Sequence, residues 1–336
     1  MKVERITSFE RFVDTKKDWN TLLSRSGQNS PFLTHQWFDA WWKCFGQDGE
    51  LEILFFWDDS GSLAGIAPLM VFDAALRFMA SHEVTDYCDF ISCTDKRDEF
   101  YENLLDYFQT NISKYSHVEF INIPKSSPTL SSLPGLAAKH EWEYEAHESE
   151  SAPILILPGS YDELMQNLGR KNRHELRRKI RKLESLGQIH IEQITESGKF
   201  NSSIKEFISL HRESNLSKQE FWLKQGMSKF FYELIHLFAL ENWAELHTLH
   251  VEDRSIAALL NFPYEDTVYF YNVAFDREYS VYSPGFFLFD HAIKQAIAKG
   301  KKAVDFLRGR EKYNYFFGAK ESKIYSLKLI QREKKR

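Results

Sequence analysis

The stretch from Tyr269 to Gly318 constrains the fold more than any other part of the chain. It reads as a strand (TVYFYNVAF), a loop (DREYSVY), the turn Ser283-Pro284-Gly285, a helix (FFLFDHAIKQAIAK), Gly300, a second strand (AVDFL), Arg308-Gly309 and an aromatic segment (YNYFFG). Both ends of the helix are punctuated. The Ser283 hydroxyl suits an N-cap, where it would accept from an orphaned amide. Pro284 suits the first helical position, where a missing N–H costs nothing. Gly300 suits the left-handed position that ends a helix. Between them Phe289, Ala292, Ile293, Ala296 and Ile297 share one face, and Asp290 and Lys294 stand four apart as an ion pair. A strand that opens into a helix through a small-residue turn also aims free amides at one spot, and that geometry attracts phosphate.

The remainder supplies what such a crossover packs against. In the first half two helical pieces are expected, Lys16 to Arg25 and Thr34 to Phe45. The second carries Trp37, Phe38, Trp41, Trp42 and Phe45 at three- and four-residue spacing. Such a stripe is read as core packing, with a ligand wall as the alternative. LEILFFWD and SLAGIAPLMV form a strand pair turned by Asp58-Asp59-Ser60-Gly61. A short strand after Asp86-Tyr87-Cys88-Asp89-Phe90, a helix from Asp98 to Tyr107, the strand HVEFINI and a Ser/Pro-rich loop from Pro124 to Gly135 complete this half.

A change from acidic to apolar character near Glu148 to Pro153 marks a domain transition, giving domains 1–150 and 151–336. At 336 residues each has room for its own core. The second half opens with strand ILIL and the capping box Ser160-x-x-Glu163. A basic helix from Asn172 to Leu186 follows, with Asn172 and Glu175 as its cap. Then come strand QIHIEQI, helices SSIKEFISLHRES and FFYELIHLFALEN, and three meandering strands, AELHTLHVE, IAALLNFPYE and TVYFYNVAF. A last strand, KIYSLKLIQ, precedes a basic tail. This order argues an α/β chain, an α+β mixed sheet with antiparallel central strands and one strand reached by a helical crossover.

Charge and composition exclude several classes. A net charge of -5 argues against a surface coated for DNA, so any nucleic-acid contact would be local. The 3 cysteines, Cys44, Cys88 and Cys93, show no Cys-x-x-Cys spacing and lie near no His cluster, so neither a disulfide framework nor a metal site is expected. The amino terminus is charged throughout, which is unlike a signal peptide. No window approaches about 18 consecutive apolar residues, so no membrane span is expected and the chain is read as cytoplasmic.

With these elements in place, SPGFFLFDHAIKQAIAKGKKAVDFLRGREKY resembles the signature of the BioF2-like, or CelD-like, acetyltransferases. The matching positions are Pro284-Gly285, Gly300, Asp305 to Gly309, Glu311 and Tyr313. The basic helix RKNRHELRRKIRKLESLG and the aromatic SPFLTHQWFDAWWKCFG fit the same family. The resemblance implies two GNAT-like acyltransferase domains in tandem, arranged as in the FemAB peptidyltransferases, with acetyl-CoA or another acyl-CoA as cosubstrate. Two departures stand out: Asn314 replaces a lysine usual after Tyr313, and the phosphate loop YSVYSPG holds only Gly285.

On that resemblance Tyr271, Asn272 and Val273 face the thioester, and Ser283, Pro284 and Gly285 face the pyrophosphate. The alternative for Ser-Pro-Gly is an ordinary helix start. Asp305 lies inside an apolar strand, where a carboxylate must be paired or tuned. It is read either as one half of an ion pair with Arg308, or as general base or substrate anchor with Arg308 as an anion clamp. Tyr313 is read as proton donor to the thiolate or as an aromatic lid. His211 is read as reaching the cleft or as structural.

Arg170, Lys171, Arg173, Arg177, Arg178, Lys179, Arg181 and Lys182 crowd one helix with the single acid Glu175. They form either a solvated face or a seat for an anionic substrate. Three functions follow: an acyl-CoA-dependent N-acyltransferase acting on an amino group of a sugar or cell-envelope precursor; a FemAB-like transferase taking its acyl group from charged tRNA; or a non-catalytic binding factor in polysaccharide production.

Overall fold

The computed structural model describes residues 1–309, 311 and 313–331. The chain forms two compact units, Met1–Glu150 with the segment from Lys323 on, and Ser151–Ser322. The expected second domain, 151–336, is corrected at its end. The last strand pairs antiparallel with the first unit's His117–Pro124, from Ile324 opposite Pro124 to Leu329 opposite Val118, so its apolar residues are spent there. The basic tail lies outside the described residues.

The first unit runs β1 (Lys2–Ile6), α1 (Phe9–Val13), α2 (Lys16–Arg25), α3 (His35–Phe45), β2 (Glu50–Leu51), β3 (Ile53–Trp57), β4 (Leu63–Ala67), β5 (Leu69–Phe72), β6 (Ala75–Phe78), β7 (Ile91–Ser92), α4 (Arg97–Asn111), β8 (His117–Pro124) and α5 (Pro128–Lys139). Three rings of the α3 stripe, Trp37, Phe38 and Trp41, are core, and Trp42 and Phe45 are half-buried; Trp37 lies 4.6 Å from Phe32 and Phe38 5.2 Å from Trp19, centroid to centroid. Asp58 makes the β3–β4 turn by accepting from the amides of Ser60 and Ser62, each at 2.9 Å. Gly65 lets Phe100 of α4 lie flat on β4, since a Cβ there would stand 2.1 Å from that ring. The segment read as a Ser/Pro loop is helix α5. Ser127 caps it by accepting from the Thr129 amide, and Pro128 occupies its first turn.

Strand β9 (Trp142–Ile156) carries the chain into the second unit. There follow α6 (Tyr161–Asn167), α7 (Arg170–Glu184), β10 (Ile189–Ile194), α8 (Phe200–Ser214), α9 (Leu216–Leu223), α10 (Met227–Leu240), β11 (Glu245–Val251), β12 (Arg254–Tyr264), β13 (Thr267–Phe275), α11 (Pro284–Ala298), β14 (Ala303–Asp305) and β15 (Lys320–Gln331). β10 to β13 form an antiparallel meander, α11 crosses over to β14 parallel to β13, and β14 meets Ile154 to Ile156 of β9. One face of this sheet is buried against α7 and α11, with Leu176, Leu183, Leu288 and Ile293 packed on Leu249, Leu259 and Phe270. The other face meets α8 and α10, where Phe238 and Phe262 lie 4.9 Å apart.

Helix α11 ends as its sequence predicts: Gly300 sits at φ +73°, and Lys294 pairs with Asp290 at 2.6 Å. Helix α7 starts earlier than predicted. Gly169 occupies the cap position, and Asn172 lies inside the first turn, where its amide donates to the Phe316 carbonyl at 3.1 Å. Glu175 turns instead to Arg178, at 2.7 Å. No helix among the described residues is long and apolar enough to cross a membrane.

Candidate functional site

Strands β13 and β14 pair over only three positions, Thr267 with Ala303, Val268 with Val304 and Tyr269 with Asp305. β14 then stops while β13 continues to Phe275, so the β13 edge beyond Tyr269 loses its strand neighbour. Backbone groups on such an edge need other partners. Two come from the junction of α8 and α9: the Phe275 amide donates to the Ser214 hydroxyl at 3.1 Å, and the Lys218 ammonium donates to the Val273 carbonyl at 2.5 Å.

A bulge decides which way the β13 side chains face. Leu260 is opposite Asn272 and Asn261 is opposite Phe270, which leaves Tyr271 as the extra residue. The strand's alternation is broken there. Phe270 stacks on Phe289 of α11 at 5.4 Å, and Val273 lies beside Gly285 at the start of α11, 3.6 Å from where a Cβ would stand. Between them Tyr271 packs on Phe231 of α10 at 5.7 Å, and Asn272 hydrogen-bonds His211 of α8. Tyr271, Asn272 and Val273, predicted as one surface, therefore divide between the two faces of the sheet.

The turn onto α11 differs from its sequence reading. Ser283 does not cap the helix. It takes a left-handed conformation, φ 55° and ψ 50°, and its hydroxyl accepts from Lys179 of α7 at 2.8 Å. Its own amide goes to the Ser280 carbonyl and that of Phe286 to the Ser283 carbonyl, while Pro284 has none. A backbone cradle for phosphate is thus reduced at this turn, and cations stand in its place. Lys179 lies 4.5 Å from the centre of the Phe286 ring, and Lys182 donates to the Val281 carbonyl at 3.0 Å while sitting over Tyr282. Ammonium groups beside a helix N-terminus fit an anion such as pyrophosphate.

Beyond the strand opening, Asp305 is buried, and its Oδ1 accepts from the Leu307 amide at 2.8 Å. This tight turn holds Leu307 at φ 61°, a left-handed conformation rarely adopted by leucine. Burial, then the neighbouring Asp305 charge, pushes the Tyr269 phenol well above its ordinary pKa. Arg308 follows, half-buried, three residues past the end of β14. Tyr313 stacks on Phe289 of α11, centroids 5.6 Å apart and 27° between planes. Burial and the Glu311 carboxylate raise its pKa, which makes its phenol a weak proton donor. Asn314 is buried and donates from Nδ2 to Glu311 at 3.2 Å, so this carboxylate has a neutral partner where the family resemblance implies a lysine.

His211 is buried, and its Nδ1 accepts from the Trp222 indole at 2.9 Å, which leaves the ring proton on Nε2. Burial, then the Lys218 charge, holds its pKa far below the ordinary value, so the ring is neutral. Lys218 itself is half-buried; desolvation lowers its pKa to about 8 against the raising effect of Glu311.

The structure therefore gathers His211 with Asn272 on one face of β13, and Gly285 with Val273 and Tyr313 with Phe289 on the α11 side. Lys218 and Lys179 were not singled out from the sequence. Lys179 was one of many basic residues in its helix. Lys218 sits on α9, a helix the sequence reading passed over, although Asn215 is a recognisable cap that accepts from the Lys218 amide at 2.8 Å.

Residues 170–315 match the family described as acetyltransferase (GNAT) domain. No curated protein matches the sequence. Among solved structures, that of FemX is similar at TM-score 0.65 and 12% identity over 97% of each chain. The C-terminal domain (DUF2156) of a putative lysylphosphatidylglycerol synthetase from Agrobacterium fabrum is similar at TM-score 0.59 and 10% identity, over 96% of this chain and 92% of that one. A tandem GNAT protein from the clavulanic acid biosynthesis pathway is similar at TM-score 0.54 and 10% identity, over 99% of this chain and 100% of that one. The fold is thus an α/β fold with mixed sheets, shared with tandem GNAT proteins, and the matched domain points to an acyltransferase.

Proposed function

We propose that this chain is a cytoplasmic N-acyltransferase of the BioF2-like or CelD-like kind, moving an acyl group from an acyl-CoA to an amino group of a sugar or cell-envelope precursor. The observation that carries the reading is the parting of β13 and β14 at Tyr269 and Asp305. It leaves a strand edge with no strand neighbour among the described residues, and polar groups converge on that edge. The thioester brings an activated carbonyl. Lys179 and Lys182 would hold its phosphates at the start of α11, and Gly285 keeps that approach narrow in side chain. The β13 edge would align the acyl arm, and positioning of this kind can supply most of the rate. Neutral His211 fixes Asn272, whose amide orients the incoming amine. Asp305, held by the Leu307 amide, anchors that amine or accepts its proton. The test is amine-dependent release of CoA thiol from a panel of acyl-CoAs and amino sugars. Release that saturates in both substrates supports the reading, and no release from any pair overturns it.

A second donor has an observation of its own. Arg170, Lys171, Arg177, Arg178 and Arg181 are exposed on α7, beside an open cavity of about 760 Å³ lined by Arg170, Lys171, Asn172, His174, Glu175 and Phe316. A basic helix with an aromatic at its foot suits an RNA end, and the likeness to FemX fits a FemAB-like transferase fed by charged tRNA. Strong, salt-dependent tRNA binding would favour this donor, whereas no tRNA affinity at low salt would remove it.

A further inference from the structure

We propose that Lys218 is the proton donor to the leaving thiolate as the acyl group passes from thioester to amine. The inference rests on the function proposed above and assigns a step within it. Three observations place the residue. Its ammonium lies on the β13 edge that β14 abandons, bonded to the Val273 carbonyl at 2.5 Å. Val273 is also the residue beside Gly285 at the start of α11, so one residue of β13 holds the ammonium by its carbonyl and meets the α11 approach by its side chain. Lys218 is carried by a short helix capped at Asn215, which fixes its stem.

The other candidate donors are poorly placed for the task. The His211 ring is neutral, and its Nε2 proton is committed to Asn272. Tyr313 is turned onto Phe289, with a phenol that burial makes a weaker acid. The charged and titratable groups that bear on Lys218 are His211 from α8 and Glu311 from the loop after β14. Desolvation brings its acidity near that of an ordinary thiol, at about 8.5, so a proton can pass between them with little cost.

The step balances without a further reagent. The amine nitrogen bonds to the carbonyl carbon, and the carbon–sulfur bond breaks with its electron pair on sulfur. An Nζ–H proton moves to that sulfur. The attacking nitrogen sheds its proton to the Asp305 carboxylate in becoming an amide, and solvent returns a proton to Lys218.

The experiment titrates free CoA thiol bound to the full chain, following thiolate absorbance against pH in the wild type, Lys218→Met and Lys218→Arg, with thermal melts as a control for folding. In the wild type the bound thiol should ionise about one pH unit below the free thiol, and Lys218→Met should abolish that shift. Lys218→Arg keeps a charge but holds its proton, so it should preserve the shift yet slow transfer from an alkyl thioester by about tenfold or more. An aryl thioester, whose thiol leaves without help, should restore the rate of both variants. If CoA binds and its ionisation is the same in wild type and Lys218→Met, the assignment is overturned while the donor site stands. Equal losses with alkyl and aryl thioesters overturn it as well. If CoA does not bind the wild type at all, the proposed function itself fails, and the assignment fails with it.

Discussion

Replacing Lys179 by methionine removes one charge from the start of α11 and leaves the stem of the side chain in place. In the free protein the loss should be small. The ammonium donates to Ser283 at 2.8 Å, lies 4.5 Å from the Phe286 ring centre and stands 3.8 Å from Glu175. Its side chain is 20% exposed, so a hydrogen bond and a ring contact at a wet site are lost, at about 1–2 kcal/mol of stability. With a donor bound the loss should be larger. A unit charge about 4 Å away at an effective dielectric near 20 is worth about 4 kcal/mol, and partial exposure and salt reduce this to about 1.5–3 kcal/mol. That corresponds to a donor bound about 10- to 150-fold more weakly. The assay is calorimetric titration with acetyl-CoA and, in parallel, with the acetyl thioester of N-acetylcysteamine, which lacks the phosphates. Lys179→Met should weaken only the first, and the difference should shrink as salt rises. Equal loss on both donors would mean that Lys179 serves packing, and no loss on either would refute the phosphate seat.

Asp305→Asn should abolish turnover while keeping donor affinity and melting temperature, because an amide oxygen can still accept from Leu307; unfolding of the variant would show instead that the carboxylate is structural. Glu245 gives a pH prediction. Burial alone would raise its pKa, but hydrogen bonds from His247 and Lys299 outweigh that and bring it down to about 2. A carboxylate with a depressed folded pKa stabilises above its unfolded value and loses that contribution as pH falls from about 4.5 towards 2. Glu245→Gln should therefore cost about 2–3 kcal/mol in urea unfolding at pH 7 and almost nothing near pH 2; a pH-independent difference would contradict the pairing.

Much of the second unit was legible in the sequence because its signals are local. Gly300 takes the left-handed position, Pro284 opens α11, Asp290 finds Lys294, and Ser160 caps α6 by accepting from Glu163 at 3.1 Å. What escaped the reading depends on distant contacts. Ser283 has the chemistry of a cap, yet Lys179 claims its hydroxyl from another helix. The bulge at Tyr271 arises from pairing with β12, and no periodicity within TVYFYNVAF shows that Tyr271 and Asn272 will share one face while Phe270 and Val273 share the other. The last strand returns to the first unit because β8 offers it an edge, a choice that its own alternation does not encode.

The central claim, an acyl donor seated between α11 and the open edge of β13, is tested most directly by titrating acetyl-CoA and longer acyl-CoAs into the wild type, Gly285→Ala and Gly285→Trp. A methyl group at Gly285 would meet Val273 at an ordinary 3.6 Å, so the alanine variant should bind as the wild type does, whereas an indole would fill the approach and abolish binding. Saturable binding that survives alanine and is lost with tryptophan is the predicted result. Failure of every acyl-CoA to bind the wild type, or undiminished binding by the tryptophan variant, would contradict it.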